Sequence, residues 1–260
     1  MENEIANGSL KMRWQRNPWD ELVCGFPVLQ INEFKVTGEF ANKEFELFEK
    51  IREKLKAGLV SCRLPHQNLA ESMLLEDRGY RFIEMVYSPE IELSHIEKNK
   101  CFEPLQALKG SQSDLALLRK LAAGVFKNER FQMDFRLNPN ISDARFGNWI
   151  ASSFDHPSQN LTVYRDQDKV VGFSITEILS DGTCYWHLNA VASEIQAQGY
   201  GRRLWKTMLL NAKNAGATRV KSSIAARNYK VLNLYASEGF KFPAPEMTFH
   251  WVRNFLQSTK

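Results

Sequence analysis

Between residues 185 and 214 the chain reads as strand, glycine-bearing loop and helix, and this joint limits the choice of fold more than any other stretch. Tyr185 to Ala192 is rich in aromatic and apolar residues, and Gln196-Ala197-Gln198-Gly199-Tyr200-Gly201 follows closely. Past Arg202-Arg203-Leu204-Trp205, the residues Leu204, Met208, Leu209 and Ala212 recur at helical spacing. Glycines let a backbone approach a ligand, and free N–H groups at a helix start attract anions. Arg202 and Arg203 add positive charge where a phosphate would sit. Two familiar phosphate loops are excluded. A Walker loop needs Lys and then Ser or Thr after its last glycine, where this chain has Arg202-Arg203. A dinucleotide fingerprint needs Gly or Ala three places past the second glycine, and Leu204 stands there. A plain tight turn capping an amphipathic helix is the other reading of these six residues.

The spacing does fit Gln/Arg-x-x-Gly-x-Gly/Ala, and so resembles the pyrophosphate loop of the GNAT-type N-acetyltransferases. Downstream, Thr218 to Ile224 reads as a strand, and Asn228 precedes Val231, Leu234 and Tyr235 on a helix ended by Gly239. Asn228, Tyr235 and the pair Gly239-Phe240 resemble the second signature of the same family. Two signatures in this order, one strand apart, are hard to obtain by chance. The resemblance implies an α/β (α+β) fold of the GNAT acyl-CoA N-acyltransferase type. That fold has a mixed, mostly antiparallel sheet flanked by helices and splayed where a thioester enters.

At 260 residues the chain is long enough for one large domain or two smaller ones. Residues 1 to about 12 read as a frayed tail, and Val28 to Val36 as a strand. Asn42 to Lys56 reads as a helix with Phe45, Phe48 and Leu55 on one face. Leu59 to Leu64 reads as a short buried strand, Leu69 to Arg78 as a helix ended by Gly79, and Phe82 to Leu93 as extended. No glycine-rich phosphate loop occurs in this section. The polar run Ser94 to Lys100 suggests a boundary, giving residues 1–98 as an α/β domain without a cofactor loop and 99–260 as the acetyltransferase domain. One echo links them: Asp77-Arg78-Gly79-Tyr80-Arg81-Phe82 repeats in form as Ser237-Glu238-Gly239-Phe240-Lys241-Phe242, with Leu75 where the second copy has Tyr235. The first section then reads as a smaller, degenerate GNAT-like relative that packs and shapes, although helix–glycine–strand joints are common.

In the second section, Leu115, Leu118, Ala122 and Val125 stripe a helix, and Phe146, Trp149 and Ile150 mark another. Residues 161–165 and 169–179 read as a hairpin, and Phe240 with Met247 to Val252 supply the last strands. Net charge is +4, mild enough to suit small anions such as coenzyme A and too weak to argue for nucleic acid. No apolar run approaches a membrane span and Met1 to Arg16 lacks an apolar signal core, so a cytoplasmic location is expected. Cys24, Cys62, Cys101 and Cys184 are scattered, without a C-x-x-C pair or a neighbouring His cluster. They read as reduced packing residues, and no metal is expected.

The resemblance implies acetyl-CoA as co-substrate and assigns roles. Main-chain N–H groups in the loop Gln196, Ala197, Gln198, Gly199, Tyr200, Gly201 and Arg202 would hold the pyrophosphate. The strand edge at Val191 would pair with the pantetheine amides and polarise the thioester, and Asn228 would reach the pantetheine arm. Tyr235 would protonate the departing thiolate, since a phenol near pKa 10 is protonated at pH 7; core packing is its alternative role. Where some relatives carry a glutamate base, this chain has Tyr185. His187, two places on and on the same face of a regular strand, is the candidate base, with Glu177 and a water-mediated route left open.

Over its whole length the chain resembles the sugar-nucleotide acetyltransferases of the TDP-fucosamine type. The residues concerned are Trp19-Asp20, Gly25, Gly79, Ala122, Phe126, Arg130-Phe131, Phe154-Asp155-His156, Gly172, Asn228 and Tyr235. Gln132, Met133 and Asp134 depart from that pattern, as does the tail from Asn254. This likeness implies a nucleotide-linked amino sugar as acceptor. Arg130 and Phe131 would bind it, and Arg136 and Arg145 would line the mouth of its pocket. Another small amine, or a peptide amine, is the alternative acceptor, and a non-catalytic acyl-CoA-binding module is the alternative function. Neither a nucleic-acid nor a membrane partner is expected, and a homodimer is left open.

Overall fold

The computed structural model describes residues 2–95 and 102–253. Its elements begin with β1 (Asn3–Ala6), β2 (Leu10–Arg16), α1 (Pro18–Cys24), β3 (Val28–Val36), α2 (Ala41–Lys54), β4 (Leu59–Pro65), α3 (Leu69–Asp77), β5 (Arg81–Tyr87) and β6 (Glu90–Glu92). There follow β7 (Gln106–Lys109), α4 (Leu115–Ala122), α5 (Arg130–Met133), α6 (Asn140–Ser153), β8 (Gln159–Asp166), β9 (Lys169–Ile178) and β10 (Thr183–Val191). The last are α7 (Tyr200–Asn214), β11 (Arg219–Ser222), β12 (Ile224–Ala225), α8 (Tyr229–Ser237) and β13 (Glu246–Val252). Two compact units form, and neither is one continuous piece of chain. The first gathers the chain up to Val86, Glu129–Ile141 and the part from Ala244 onward; the second holds Tyr87–Asn128 and Ser142–Pro243. The boundary expected between residues 98 and 99 lies outside the described residues, as do Cys101 and the tail from Asn254.

The first unit orders its strands β1-β2-β3-β4-β13-β5. Residues 3–6 and 10–16 are paired strands instead of the expected tail, because Ile5, Leu10, Met12 and Trp14 alternate inward and are buried. β13 also departs from expectation. It does not extend the second unit's sheet but lies antiparallel between β4 and β5, with Phe249 opposite Cys62 and Phe82. Placed inside that sheet, it buries both Phe249 and His250. Glu129–Ile141 belongs here too: Phe131, Leu137 and Ile141 pack with Val28, Leu59 and Val252. The helix start after β3 carries Glu44 in its first turn, whose carboxylate accepts the Ser9 N–H at 3.1 Å.

The second unit is a six-stranded sheet ordered β6-β11-β10-β9-β8-β7, in which only β10 and β11 run parallel. One apolar cluster joins the sheet to α7 and α8 through Trp186, Leu204, Trp205, Met208 and Tyr235. Another joins it to α4 and α6 through Leu118, Ala122, Phe146, Ile150, Leu188 and Ala190. The echo noted in the sequence extends to the caps. Gly79 and Gly239 both adopt left-handed φ, and the next N–H returns to Leu75 in one unit and to Tyr235 in the other.

Candidate active site

β10 is not a regular strand. Its register against β9 shifts between Trp186 and Leu188, so His187 is the extra residue of a bulge. One added residue reverses which side chains face which way. Cys184 and Trp186 accordingly lie in the cluster under α7 and α8, and Leu188 and Ala190 in the cluster under α4 and α6. Asn189 turns toward α7, where it accepts the Trp205 indole N–H at 3.1 Å. Tyr185 and His187 remain neighbours despite the irregularity, their rings 4.9 Å apart.

The parallel pairing of β10 with β11 runs from Thr183 to Trp186 and stops. Beyond it, among the described residues, one edge of β10 is open. The Ala192 N–H bonds back to Val171 at 2.8 Å, so by antiparallel alternation the peptide groups of Val191 face the open edge. The Val191 carbonyl accepts the Gln196 side-chain amide at 3.1 Å, which ties the loop to the strand end. Gly172 lies opposite Val191 on β9, and a Cβ there would run into the Ala190 carbonyl.

The loop turns through two left-handed residues, Ala197 (φ 62°) and Gly199 (φ 85°), and Gly199 caps α7. The first loop-to-helix amide with an intrahelical acceptor is that of Arg203, bonded to Gly199 at 3.2 Å. Those of Tyr200, Gly201 and Arg202 have none within the helix. No acidic residue lies in the first turn. A Cβ on Gly199 would meet open space and one on Gly201 would stand 3.6 Å from Leu234, so the second position has room for alanine. The two arginines are not the loose positive charges the sequence suggested. Arg202 pairs with Glu238 at 3.0 Å, and Arg203 with Asp166 at 2.8 Å, where the Tyr200 hydroxyl also donates. Anion attraction at this helix start therefore falls to main-chain N–H groups and the helix dipole. Asn228 caps α8 through its carbonyl while its side chain makes no cap bond.

Tyr235 is buried in an aromatic cluster, 4.0 Å from the Trp205 ring and 4.8 Å from Phe240. Burial raises its phenol above the ordinary range, against the opposing pull of hydrogen bonds with Ser222 and Asn189. Those two partners stand where β10 and β11 part. Neither was singled out in the sequence, where nothing marks Asn189 or Ser222 as neighbours of Tyr235.

On the other face of the sheet, His187 Nε2 lies 2.8 Å from Glu177 Oε2, and the Ser158 hydroxyl donates to Glu177 Oε1 at 2.6 Å. These bonds hold the Glu177 carboxyl below its ordinary range, Ser158 first and His187 second. Trp149 is 5.9 Å from the His187 ring, and the Arg145 guanidinium is 5.7 Å from Trp149. Arg130, Phe131 and Arg136 lie instead in the first unit. Arg130 bonds the buried Asp20 at 2.8 Å, Phe131 is fully enclosed, and Arg136 grips Asp134 with two bonds of 2.8 and 2.9 Å. Among the described residues no cluster of three or more His, Cys, Asp or Glu could hold a metal ion, and no helix is long and apolar enough to cross a membrane.

Residues 141–255 match the family model of the acetyltransferase (GNAT) domain. The chain has a GNAT-like fold, with mixed sheets flanked by helices, and it shares this fold with solved structures across nearly its whole length. A functionally unknown conserved protein from Staphylococcus epidermidis is similar with a TM-score of 0.65 and 15% identity, over 96% of this chain and 94% of that one. A GCN5-related N-acetyltransferase from Sphaerobacter thermophilus gives 0.64 and 14%, over 94% and 76%. A tandem GNAT protein from the clavulanic acid biosynthesis pathway gives 0.62 and 10%, over 96% and 82%. No curated protein matches the sequence, so the likeness to the TDP-fucosamine type finds no support there. Several residues carrying that likeness do structural work: Gly25 ends α1 in left-handed conformation, Asp20 pairs with Arg130, and Gly79 ends α3.

Proposed function

We propose that the protein is an acetyl-CoA-dependent N-acetyltransferase that acylates the amine of a small acceptor by direct transfer. The observation that carries this reading is the α7 start. Its left-handed Gly199 and acid-free first turn stand next to an open strand edge ending at Val191, whereas the first turn of α2 in the first unit carries the acidic Glu44. Amides from Gln198 to Arg202 would hold the pyrophosphate, with Gln196 and Ala197 shaping the loop. Val191 and Asn228 would hold the pantetheine arm, and the Val191 N–H would polarise the thioester carbonyl. His187 accepts the proton of the acceptor ammonium, the neutral amine attacks the thioester, and Tyr235 donates its phenolic proton to the leaving thiolate; the proton the nitrogen sheds as the amide forms passes to water, from which Tyr235 regains its own. The burial that raises the Tyr235 phenol suits an acid that must be protonated at neutral pH.

A nucleotide-linked amino sugar is the finer reading of the acceptor. Arg145, whose guanidinium lies 5.7 Å from the Trp149 ring, would face the charged groups of such an acceptor. The test is to incubate the purified protein with acetyl-CoA and amino-sugar nucleotides, amino acids, polyamines and peptides, reading thiol release and acetylated mass. Absence of coenzyme A binding in calorimetry, or of any acetylated amine, would refute the proposal.

A further inference from the structure

We propose that Ser158, Glu177 and His187 work as one unit, in which Glu177 is a positioning residue that fixes the ring of His187 so that Nδ1 is its proton-accepting atom. This rests on the reading of His187 as the base. Glu177 Oε2 lies 2.8 Å from His187 Nε2, and a carboxylate in that place can only accept, so Nε2 carries the hydrogen. The lone pair is then on Nδ1. Glu177 is itself held, since its second oxygen accepts the Ser158 hydroxyl at 2.6 Å. His156 Nδ1 stands 3.4 Å from both the amide nitrogen and the hydroxyl of Ser158.

The bulge makes this contact possible. Glu177 pairs in register with Tyr185, not with His187, and the added residue returns the imidazole to Glu177. The rings of Tyr185 at 4.9 Å and Trp149 at 5.9 Å flank the imidazole, and the Trp149 indole donates to Gln159 at 3.3 Å. The His187 and Glu177 side chains are 18% and 21% exposed, open enough for an acceptor to reach the ring and sheltered enough for the pair to matter. In the step, the proton leaves the acceptor ammonium and joins Nδ1, giving a neutral amine and an imidazolium. Glu177 stays ionised and faces that imidazolium through Nε2–H, the arrangement that keeps a histidine base in one tautomer. The imidazolium later returns its proton to water, so Glu177 never carries it.

The experiment compares wild type with Glu177→Gln, Glu177→Asp and Ser158→Ala. Histidine ring tautomers are read by long-range 1H–15N NMR, which needs no turnover, and steady-state rates are measured alongside. We expect His187 as the Nε2–H tautomer in the wild type and a mixture in Glu177→Gln. The kcat of Glu177→Gln should fall about 10²-fold, with KM for acetyl-CoA and calorimetric coenzyme A affinity unchanged. Glu177→Asp should recover part of the rate, and Ser158→Ala should lose less than Glu177→Gln. An Nδ1–H tautomer in the wild type, or unaltered kcat in Glu177→Gln, would overturn the assignment. Failure of the function reading would look different, as a wild type inactive on every amine whatever its tautomer.

Discussion

Replacing Gly172 by alanine tests whether the strand edge beside the loop is set by close packing of β9 on β10. An added Cβ would lie far inside the contact distance of the Ala190 carbonyl oxygen, 3.2 Å from its carbon and 3.3 Å from the Val191 Cα. All three are backbone atoms, so no side chain can swing away. The strands would have to part by about 1 Å to regain ordinary contact. Such overpacking costs about 1–3 kcal/mol. For a body of this size that lowers the melting temperature of the second unit by roughly 3–10 °C. Parting the strands also disturbs the Ala192-to-Val171 hydrogen bond of 2.8 Å, which keeps the peptide groups of Val191 on the open edge. Coenzyme A affinity should then drop about tenfold, the equivalent of about 1.4 kcal/mol. Calorimetric titration and scanning calorimetry on the same preparations read both effects. A variant that melts with the wild type and binds coenzyme A equally would show that the edge does not depend on the missing side chain.

Four further substitutions probe other parts of the site and fold. Tyr235→Phe should lower kcat about 10²-fold while coenzyme A affinity holds, and an unchanged kcat would remove Tyr235 from the acid role. Gly199→Ala must strain a φ of 85° at a cost of about 1–2 kcal/mol, and so weakens coenzyme A binding; Gly201→Ala, with 3.6 Å to Leu234, should bind as the wild type does. Equal affinities in the two glycine variants would count against a φ-controlled loop. His250 is fully buried, bonds Asp134 and lies near Arg130 and Arg136; desolvation lowers its pKa from the ordinary 6.5 to about 4. The unfolded chain therefore binds this proton more readily, and the first unit should lose stability as pH falls from about 6.5 to about 4. Asp134, also held low in the fold, adds loss below the ordinary carboxylate range. Urea midpoints at pH 7 and pH 5 read the first of these slopes, which His250→Gln should flatten; parallel slopes in both proteins would contradict it.

Much of the fold was legible because it rests on local rules. The periodic faces of α2, α7 and α8 and the hairpin of β8 and β9 stand within a few residues of where their patterns put them. The tail expected over residues 1 to about 12 is paired strand instead, because the alternation of Leu10-Lys11-Met12-Arg13-Trp14 is what a strand with one buried face requires. The home of β13 could not be read at all. Its residues say strand, but pairing with β4 is decided by contacts with residues more than 180 positions earlier. The packing partners of Arg130 and Phe131 were hidden for the same reason, since neither Asp20 nor the Val28 and Leu59 surface is visible from their own neighbourhood.

The bulge at His187 is the least legible feature and the one the site leans on most. A regular β10 would keep every odd residue from Tyr185 to Val191 on one face, as the sequence suggests. Asn189 could not then turn toward Trp205 and Tyr235 while Tyr185 and His187 turned toward Trp149. With one added residue, a single strand turns side chains to two places. On the proposed function its first half would offer a base to the amine on the α6 side, and its second half would support the acid on the α8 side. The open edge at Val191 lies between them, where a thioester carbonyl would meet the amine from one face and lose its sulfur toward the other. Deleting His187 would therefore remove the base alone: Trp186 and Leu188 would follow one another opposite Thr176 and Ile175, and Asn189 would keep its place beside Trp205. Coenzyme A affinity should hold while kcat falls, and loss of both together would refute this account of the strand.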